Sequence, residues 1–371
     1  MVKRLLCLVS CMNAGGAETF LMKLYRKIDR EKYQMDFGVF TEKHGFYDTE
    51  IERLGGKIYH LTPKTENFSL YKKELYNLIL KEKYEYVLRI TSNAAGFYDL
   101  KIAKEAGARV CIARSSNSSD GDSWKVKLIN IISRFLYQKF VDVKIAPSDL
   151  AARYTFGKNA VTNGEIFYLN NGLDLDVYCF SNEKRKSMQE EFGLKDKFVV
   201  GHIGRFFEQK NHAFLIDVFY EIKKKKDNAV LLLVGDGELR RCIEEKVKEL
   251  GLDGSVIFTG IRKDVPALLS GMDVFVFPSL YEGMPNTVIE AQATGLPCVI
   301  ADTITREAGI TDLVHYESLK ANVVEWADSI VMYCNEDSRK RDLYSEKVKN
   351  TGYDINDCAN KFIESIFGEN S

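Results

Sequence analysis

Residues 274–290 read VFVFPSLYEGMPNTVIE, and this stretch decides the fold. Its first four residues, Val274–Phe277, are apolar, β-branched or aromatic, which is typical of a strand that is buried on both faces. A loop with glycine and proline follows, and the apolar spacing after it predicts a helix over Asn286–Thr294. A buried strand, a loop and a helix make up the repeating unit of an α/β fold with a parallel sheet.

The same alternation of strand and helix patterns extends along nearly the whole chain. In the first half it predicts strands at Arg4–Ser10, Asp36–Thr41, Lys57–Leu61, Tyr86–Thr91, Arg109–Ala113 and Val143–Ala146. In the second half it predicts strands at Phe198–Ile203, Val230–Val234, Val256–Thr259, Val274–Phe277 and Cys298–Ala301. Helices are predicted between them, among them Thr19–Ile28 and Glu238–Leu250. Two such series in one chain predict two doubly wound, Rossmann-like domains.

The boundary between the two domains is predicted in the polar and charged stretch Asn171–Lys197, because a new sheet starts directly after it. We assign residues 1–175 to the first domain and residues 176–354 to the second. We expect residues 355–371 to form a C-terminal helix that crosses back to the first domain. The length of 371 residues suits two domains of average size.

Composition excludes several classes of protein. No stretch approaches the roughly 18 apolar residues of a membrane-spanning helix, and a net charge of −1 does not favour nucleic-acid binding. The eight cysteines include no CxxC pair and the five histidines are dispersed. We therefore expect reduced thiols, a cytoplasmic location and no metal site.

Two cations follow the first predicted strand of the second domain. Gly204 ends this strand, and Arg205 and Lys210 come after it, at the edge of an open α/β sheet where ligands bind. The planar fork of an arginine and the mobile charge of a lysine together suit a diphosphate. In the first domain, Gly15-Gly16 lies between a strand and a helix. These glycines could bring backbone N–H groups to an anion, or they could simply form a tight turn.

Two glutamates eight residues apart give the strongest signal. Glu282 lies in the loop after Val274–Phe277, and Glu290 lies one turn inside the next helix. The loop and the first helical turn expose backbone N–H groups that can hold phosphate or sugar oxygens, and Glu290 can accept hydrogen bonds from hydroxyls. An isolated glutamate here would more often serve the helix dipole. The pair, placed after a buried strand, instead predicts a ligand site.

Taken in order along the chain, these motifs resemble the retaining family 4 glycosyltransferases of the GT-B fold, especially those of bacterial capsule and exopolysaccharide synthesis. The resemblance covers nearly the full length. It runs through Gly15-Gly16, Ala146-Pro147-Ser148, Asn171-Gly172-Leu173-Asp174, Gly204-Arg205 with Lys210, the turn at Gly235, and Glu282 with Glu290. It implies two Rossmann-like domains with an interdomain cleft, in which the first is the acceptor side and the second binds a nucleotide sugar.

The resemblance also implies roles for individual residues. Arg205 and Lys210 would neutralise the donor diphosphate and stabilise it as the leaving group. Glu282 would contact the donor sugar as the third catalytic residue, Glu290 would bind the ribose hydroxyls, and the base would lie near Ile261. The implied donor-binding residues are Gly15, Gly16, Gly204, Arg205, Lys210, Ile261, Glu282, Gly283, Met284, Pro285, Asn286, Thr287 and Glu290. The expected donor is a UDP-sugar, with no cofactor and no metal, because fixed cations and helix N-termini replace the metal.

The implied reaction is the retaining transfer of a hexose or N-acetylhexosamine to a glycan or lipid-linked acceptor in surface polysaccharide synthesis. One departure from the family lies in the first domain. Relatives usually carry a histidine after the strand that corresponds to Tyr86–Thr91 and another in the segment that corresponds to residues 114–117, and this chain has neither. We expect that some of six polar residues line the cleft opposite Glu282 and bind the acceptor or the donor sugar instead, and these are Arg89, Ser92, Asn93, Arg114, Ser115 and Asn117.

Other functions fit the sequence less well. Reduced activity, or a non-catalytic subunit that binds a sugar nucleotide beside another transferase, would also account for the missing histidines. An epimerase of the same fold would not be expected to carry the glutamate pair. A dehydrogenase is disfavoured because no GxGxxG opens either sheet.

The first domain is also expected to contact a membrane at its inner, cytoplasmic face. Residues 1–178 hold 27 Lys and Arg against 21 Asp and Glu, a net of +6, whereas the remainder carries −7. Trp124–Val141 has an apolar helical pattern with four cations, Lys125, Lys127, Arg134 and Lys139. Such a segment could lie on anionic lipid. The alternative is that its apolar residues pack on the sheet, namely Ile129, Ile132, Phe135 and Leu136.

Overall fold

The computed structural model describes residues 2–13, 15–116, 124–334 and 338–368. The chain forms two compact units, one of Met1–Gly172 with Gly352–Ser371 and one of Leu173–Thr351. The second unit is therefore an insertion in the chain of the first. Each unit is built on one parallel sheet with helices packed against it.

The first unit contains a seven-stranded sheet. Its strands are β1 Lys3–Val9, β2 Tyr33–Val39, β3 Ile58–His60, β4 Tyr86–Thr91, β5 Val110–Ser115, β6 Val143–Ala146 and β7 Ile166–Tyr168. They pair in parallel in the order β3-β2-β1-β4-β5-β6-β7. In the described part of this unit the connecting helices are α1 Gly16–Lys27, α2 Asp48–Arg53, α3 Phe68–Glu82, α4 Phe97–Glu105, α5 Trp124–Tyr137, α6 Asp149–Phe156 and α7 Lys158–Thr162.

Alternate residues of the central strand β1 face two different cores. Leu5, Cys7 and Val9 join one apolar cluster together with residues of α1, and Leu6 and Leu8 join another together with residues of α3 and α4. Side chains of a strand point alternately to its two faces, so the sheet is covered on both sides. This is why these strands are continuous apolar runs in the sequence.

The second unit contains a six-stranded parallel sheet. Its strands are β8 Phe198–Ile203, β9 Ala229–Val234, β10 Val256–Gly260, β11 Val274–Phe277, β12 Cys298–Ala301 and β13 Val314–Glu317, in the order β10-β9-β8-β11-β12-β13. Its helices are α8 Leu175–Tyr178, α9 Asn182–Phe192, α10 His212–Lys225, α11 Arg240–Glu249, α12 Val265–Gly271, α13 Asn286–Ala293, α14 Val323–Tyr333 and α15 Tyr344–Val348. The predicted fold class, α/β with two Rossmann-like domains, is confirmed.

The last helix, α16 at Ile355–Phe367, belongs to the first unit. The side chain of Asp354 caps it by accepting hydrogen bonds from two backbone N–H groups of the first turn. Phe362 meets Phe20 of α1 edge to face, with ring centres 6.5 Å apart. Phe367 packs on Tyr33 and Tyr86 at 4.9 and 4.6 Å. The helix therefore completes the core on the α1 face of the first sheet.

Two strands of the structure, β7 and β13, were not predicted. Both are edge strands of three or four residues, and each is only partly buried. A short edge strand that is only partly buried does not need a continuous apolar run, so these two were not recognised, whereas the edge strands β3 and β10 were predicted. Among the residues that the structure describes, no helix combines the length and the hydropathy needed to cross a bilayer.

Candidate active site

Four loops of the second unit start from one edge of its sheet. Strands β10, β9, β8 and β11 are adjacent and parallel, so their carboxyl ends lie side by side. The loops after them begin at Ile261, Gly235, Gly204 and Pro278. Ile261 is an apolar side chain that is nevertheless 82% exposed. This edge of an open α/β sheet is where ligands bind, and every donor-binding residue predicted in this unit follows one of the four strands.

The loops after β8 and β9 touch through their backbones. Gly204 donates its N–H to Val234 at 3.0 Å. Gly235 has a φ of +134°, and a Cβ at this position would lie 2.1 Å from the carbonyl oxygen of Gly204. Only glycine fits both the backbone conformation and the space. Gly235 is therefore needed for structure, and it holds the turn from which Arg205 extends.

Lys210 and Glu282 form the central contact at this edge. The Lys210 ammonium lies 2.6 Å from a carboxylate oxygen of Glu282, and their side chains are only 18% and 12% exposed. The ammonium also lies 4.5 Å from the centre of the Phe277 ring, at the end of β11. Two residues that are 72 positions apart in sequence, and that were both predicted to be catalytic, are thus in direct contact.

Arg205 is placed differently from Lys210. Its side chain is exposed, and the guanidinium lies 4.9 Å from the centre of the Phe207 ring. Stacking on an aromatic ring leaves the edge of a guanidinium able to donate to oxygens. The structure therefore offers one half-buried and one exposed cation after the same strand.

Helix α13 begins within the sequence that resembles the donor-binding motif. Asn286 and Thr287 open the helix, and Pro285, at its N-cap position, makes no side-chain cap hydrogen bond. The first N–H groups of a helix have no partner inside the helix, and the helix dipole is positive at this end. Gly283 and Met284 lie in the loop immediately before this turn. The arrangement is suited to oxygens of an anionic ligand.

Glu290 contacts a residue that the sequence did not point to. The hydroxyl of Tyr178, at the end of α8, hydrogen-bonds with the Glu290 carboxylate. Burial and this carboxylate raise the pKa of Tyr178 well above its usual value, so the phenol stays protonated and acts as the donor. No motif marks Tyr178, because it comes from the segment that enters the second unit.

Two buried histidines lie behind the turn at Gly204. The rings of His202 and His212 are 4.7 Å apart, and His202 Nδ1 lies 2.8 Å from the carbonyl oxygen of Val276. Burial and the nearby charge of Lys210 lower the pKa of His212 to about 4, and burial lowers the pKa of His202 as well. Both histidines are therefore neutral near pH 7. They pack under the site, and neither carries a charge that would oppose Lys210.

In the first unit, Gly15 and Gly16 lie where the sequence placed them, between β1 and α1. A Cβ on Gly15 would meet the carboxylate of Glu18 at 2.3 Å, whereas a Cβ on Gly16 would meet nothing within 4 Å. Burial raises the pKa of Glu18. Gly16 thus faces open space at the N-terminus of α1, where the backbone is accessible.

Arg89 was one of the six residues from which ligands of the acceptor or the donor sugar were expected, and the structure buries its side chain in an ion-pair network. Its side chain is 9% exposed, its guanidinium pairs with Asp99 at 2.8 Å, and it donates to the carbonyl of Leu8 at 2.9 Å. Asp99 also accepts from Lys64 and from Tyr71, each at 2.6 Å. Arg89 lies in the middle of β4, so its long side chain turns into this buried network and holds helix α4 on the sheet.

Replacing Asp99 with asparagine should lower the free energy of unfolding by roughly 3 kcal/mol, because it leaves the buried Arg89 without its counter-charge. Urea unfolding followed by circular dichroism measures this. The matched control is Asp328→Asn, since Asp328 is 62% exposed and pairs with Lys225 on the surface. We expect that control to change stability by less than about 1 kcal/mol. Equal effects of the two variants would contradict a structural role for the network.

Arg114 and Ser115 belong to the same six residues, and the structure buries them as well. Arg114 is 2% exposed, stacks 3.6 Å from the centre of the Phe20 ring and donates to the side chain of Asn171. Ser115 is fully buried, and its hydroxyl hydrogen-bonds with Thr155 at 2.7 Å. Both lie at the end of β5, and their side chains pack against helices of the first unit. They therefore hold the unit together and are not presented to a ligand.

Two of the predicted acceptor-side residues do lie at the surface of the first unit. Ser92 is exposed after β4, and Asn93 is half-buried, its side chain accepting a hydrogen bond from the N–H of Ala95. Asn117 lies outside the described residues. Strands β1 and β4 are neighbours, so Ser92 and Asn93 start from the same sheet edge as Gly15-Gly16.

In the described ranges, His, Cys, Asp and Glu do not gather in groups of three or more that could hold a metal ion.

Known proteins resemble this chain in both sequence and fold. The model of the family described as "Glycosyl transferases group 1" matches residues 197–335. The putative glycosyltransferase EpsF of Bacillus subtilis is 35% identical over 359 residues, which are 95% of this chain and 93% of EpsF. An Escherichia coli protein, UDP-Gal:alpha-D-GlcNAc-diphosphoundecaprenol alpha-1,3-galactosyltransferase, is 29% identical over 235 residues, 62% of this chain and 60% of that protein.

Among solved structures, that of Anabaena HepE in complex with UDP has a TM-score of 0.78 and 19% identity, and it covers 98% of this chain and 99% of that one. This likeness concerns the fold. Together with the two parallel sheets it shows that the chain has the GT-B fold. The chain belongs to the group 1 glycosyl transferases, as the family match and the full-length similarity to EpsF show.

Proposed function

We propose that this enzyme is a retaining glycosyltransferase. It moves a hexose or N-acetylhexosamine from a UDP-sugar to a glycan or lipid-linked acceptor during the synthesis of a surface polysaccharide. The observation that carries the proposal is the contact of Lys210 with Glu282 at the sheet edge that also bears Arg205 and the N-terminus of α13. Two cations and a helix N-terminus favour a diphosphate, and carboxylates favour hydroxyls.

The Lys210–Glu282 ion pair suggests how a donor would enter. A diphosphate carries more negative charge than one carboxylate, so Lys210 would turn from Glu282 toward the phosphate oxygens. Glu282 would then be free to accept hydrogen bonds from hydroxyls of the donor sugar. Because both side chains are largely shielded from water, the charge of Lys210 acts strongly on the leaving diphosphate. The pair thus keeps both groups in place before the donor arrives.

Binding of the nucleoside would use the two flanks of the same edge. Glu290, held by the Tyr178 hydroxyl, would accept hydrogen bonds from the ribose hydroxyls. Ile261 offers an exposed apolar surface on which a base could lie. Backbone N–H groups of residues 283–287 would complete the donor site around the phosphates and the sugar.

In a retaining transfer the donor phosphate itself can take the proton from the acceptor hydroxyl, so a side-chain base is not required. What the reaction needs is the acceptor oxygen held within about 3.5 Å of the anomeric carbon. With Arg89, Arg114 and Ser115 buried, Ser92 and Asn93 remain as the described side chains of the first unit that we propose for this task.

The donor and acceptor classes are supported by relatives. The name of the Escherichia coli relative states a UDP-sugar donor and a diphosphoundecaprenol-linked acceptor, and the Anabaena structure holds UDP. For this chain we propose a UDP-sugar and a lipid-linked or glycan acceptor of the same kind. Such an acceptor would bring the enzyme to the inner face of the cell membrane, and we propose that the first unit makes that contact.

Transfer should proceed without a metal, because Arg205, Lys210 and the start of α13 already supply positive charge at the diphosphate. Turnover in EDTA should equal turnover in magnesium or manganese to within about twofold. A twofold ratio is well below the tenfold change in rate that corresponds to roughly 1.4 kcal/mol of activation free energy. The measurement is release of UDP from a panel of UDP-sugars. Loss of activity in EDTA that magnesium or manganese restores would overturn metal independence, while leaving the assignment as a glycosyltransferase intact.

A non-catalytic subunit is the second candidate, and the first unit gives it a specific basis. That unit lacks the histidines usual in the family, and three of the polar side chains expected to replace them are buried. Purified protein should hydrolyse or transfer at least one UDP-sugar if it is an enzyme on its own. Activity that appears only after a second transferase of the same pathway is added would favour the subunit.

A further inference from the structure

Helix α5 presents most of its apolar side chains to the outside and turns Asn130 and Ser133 to the protein. Only Asn130 and Ser133 are buried. Seven large apolar residues of the helix are exposed, with Phe135 at 87%, and they are Trp124, Leu128, Ile129, Ile131, Ile132, Phe135 and Leu136. At 100° per residue these positions fall within one arc of about 160°. The expectation that Ile129, Ile132, Phe135 and Leu136 pack on the sheet is therefore wrong.

The polar side of α5 holds the helix in this orientation. The Asn130 side chain accepts from the N–H of Ala94 and donates to the carbonyl of Tyr154, both at 2.9 Å. Arg134 donates to the same carbonyl at 3.2 Å, and Gly157 leaves room for it, since a Cβ there would lie 2.5 Å from the guanidinium. These bonds fix which face looks outward. Of the four cations in this segment, Arg134 is therefore turned toward the protein.

The charges within the helical segment itself have one sign. From Trp124 to Phe140 the sequence contains no Asp or Glu. Lys125, Lys127 and Lys139 are exposed, and the ammonium groups of Lys125 and Lys139 lie 6.0 and 5.2 Å from the ring centres of Trp124 and Phe140. Lysines beside aromatic rings at the border of an apolar surface are typical of segments that lie in the headgroup region of a bilayer.

We propose that the exposed face of α5, defined by the seven apolar residues above with Lys125 and Lys139, is the surface that docks the enzyme on an anionic lipid bilayer. A second copy of the chain fits this face less well, because a twofold contact of α5 with itself would bring lysines against lysines, and the helix carries no Asp or Glu to pair them. The apolar side chains enter the headgroup boundary while the ammonium groups meet lipid phosphates. The inference deepens the proposed membrane contact and rests on it, but it can be measured without donor or acceptor.

The test is flotation of the full chain with vesicles of phosphatidylcholine alone or with added phosphatidylglycerol. We expect at least about tenfold more bound protein on the anionic vesicles. Replacing both Ile131 and Phe135 with serine should abolish most binding, and Lys125→Glu with Lys139→Glu should remove the preference for anionic lipid. The matched controls lie in the second unit: Met332→Ser with Val324→Ser changes exposed apolar residues, and Lys248→Glu with Lys320→Glu changes charge equally.

Three outcomes would overturn the inference. One is failure of the wild-type chain to float with either vesicle. Another is equal loss of binding in the control variants, which would place the contact elsewhere or make it unspecific. The third is that light scattering shows a dimer of the wild-type chain, that Ile131→Ser with Phe135→Ser dissociates this dimer, and that the wild-type chain does not bind lipid. The exposed face of α5 would then join two copies of the chain. Thermal unfolding of each variant shows that the fold is intact. UDP-sugar hydrolysis of the same samples reports separately on the proposed transferase activity.

Discussion

Replacing Lys210 with alanine should lower kcat for sugar transfer by about 100- to 1000-fold, the range expected when one group that stabilises developing charge is removed from a shielded site. The physical reason is that the Lys210 ammonium is half-buried beside Glu282 and Phe277, where its charge is poorly screened. The measurement is steady-state release of UDP, with binding of UDP followed separately by calorimetry. We expect kcat to fall more than the affinity for UDP, because charge builds up on the diphosphate as the bond to the sugar breaks.

A matched variant separates this effect from the loss of an ion pair in general. Lys246 forms an equally short pair with Asp217 on the helices of the same unit, at 2.6 Å. Lys246→Ala should leave transfer unchanged. Lys210→Arg should retain only part of the activity, because a guanidinium keeps the charge but differs from an ammonium in shape. Transfer by Lys210→Ala at the wild-type rate would remove Lys210 from the proposed mechanism.

Glu290→Gln should weaken the binding of UDP by about 10- to 100-fold, since hydrogen bonds that involve a charged group are worth roughly twice as much as neutral ones. The glutamine has the same size and can still accept a bond from Tyr178, so the fold should be preserved. Calorimetric titration with UDP, and with UMP to show that the ribose end is affected, measures the change. Affinity equal to that of the wild type would mean that the ribose is bound elsewhere.

Tyr178→Phe should give a smaller, several-fold loss of UDP affinity, because the carboxylate remains but one bond that orients it is gone. Tyr344→Phe is the control, since the Tyr344 hydroxyl also contacts a carboxylate, that of Asp312, at the surface of the same unit. If Glu290→Gln weakens the binding of UDP and Tyr178→Phe does not, Glu290 binds the ribose but Tyr178 is not needed to orient it.

Most of the fold could be predicted because the buried strands of a parallel sheet are recognisable in the sequence as mainly apolar segments. The structure places β4, β6, β8, β11 and β12 at the predicted residues, and each is a mainly apolar segment that is followed by a polar residue, a glycine or a proline. The edge strands β7 and β13 were missed because a short, partly buried edge strand does not need such a segment. In α5 the pattern predicted an apolar face but not its direction, which depends on the hydrogen bonds of Asn130 to Ala94 and Tyr154.

The candidate site was predicted unevenly for a related reason. In the second unit the residues follow the ends of neighbouring strands, and topology alone brings such residues to one edge. In the first unit Arg89 and Arg114 also lie in neighbouring strands, but their partners Asp99 and Asn171 come from elsewhere in the chain and draw the side chains inward. Tyr178 was missed because its contact with Glu290 joins segments that are far apart in sequence.

The position of α16 also determines the order in which the two cores can form during synthesis on the ribosome. The first unit is translated first, but the face of its sheet that carries Phe20, Tyr33 and Tyr86 is closed by residues near the end of the chain. At about 5–20 residues per second, the inserted unit delays that closing helix by roughly ten to forty seconds. The second unit can complete its own core within this interval, since it needs nothing from the last helix. The half of the protein that is made first is therefore finished last, and a nascent chain that stalls before α16 would present an uncovered apolar face to chaperones.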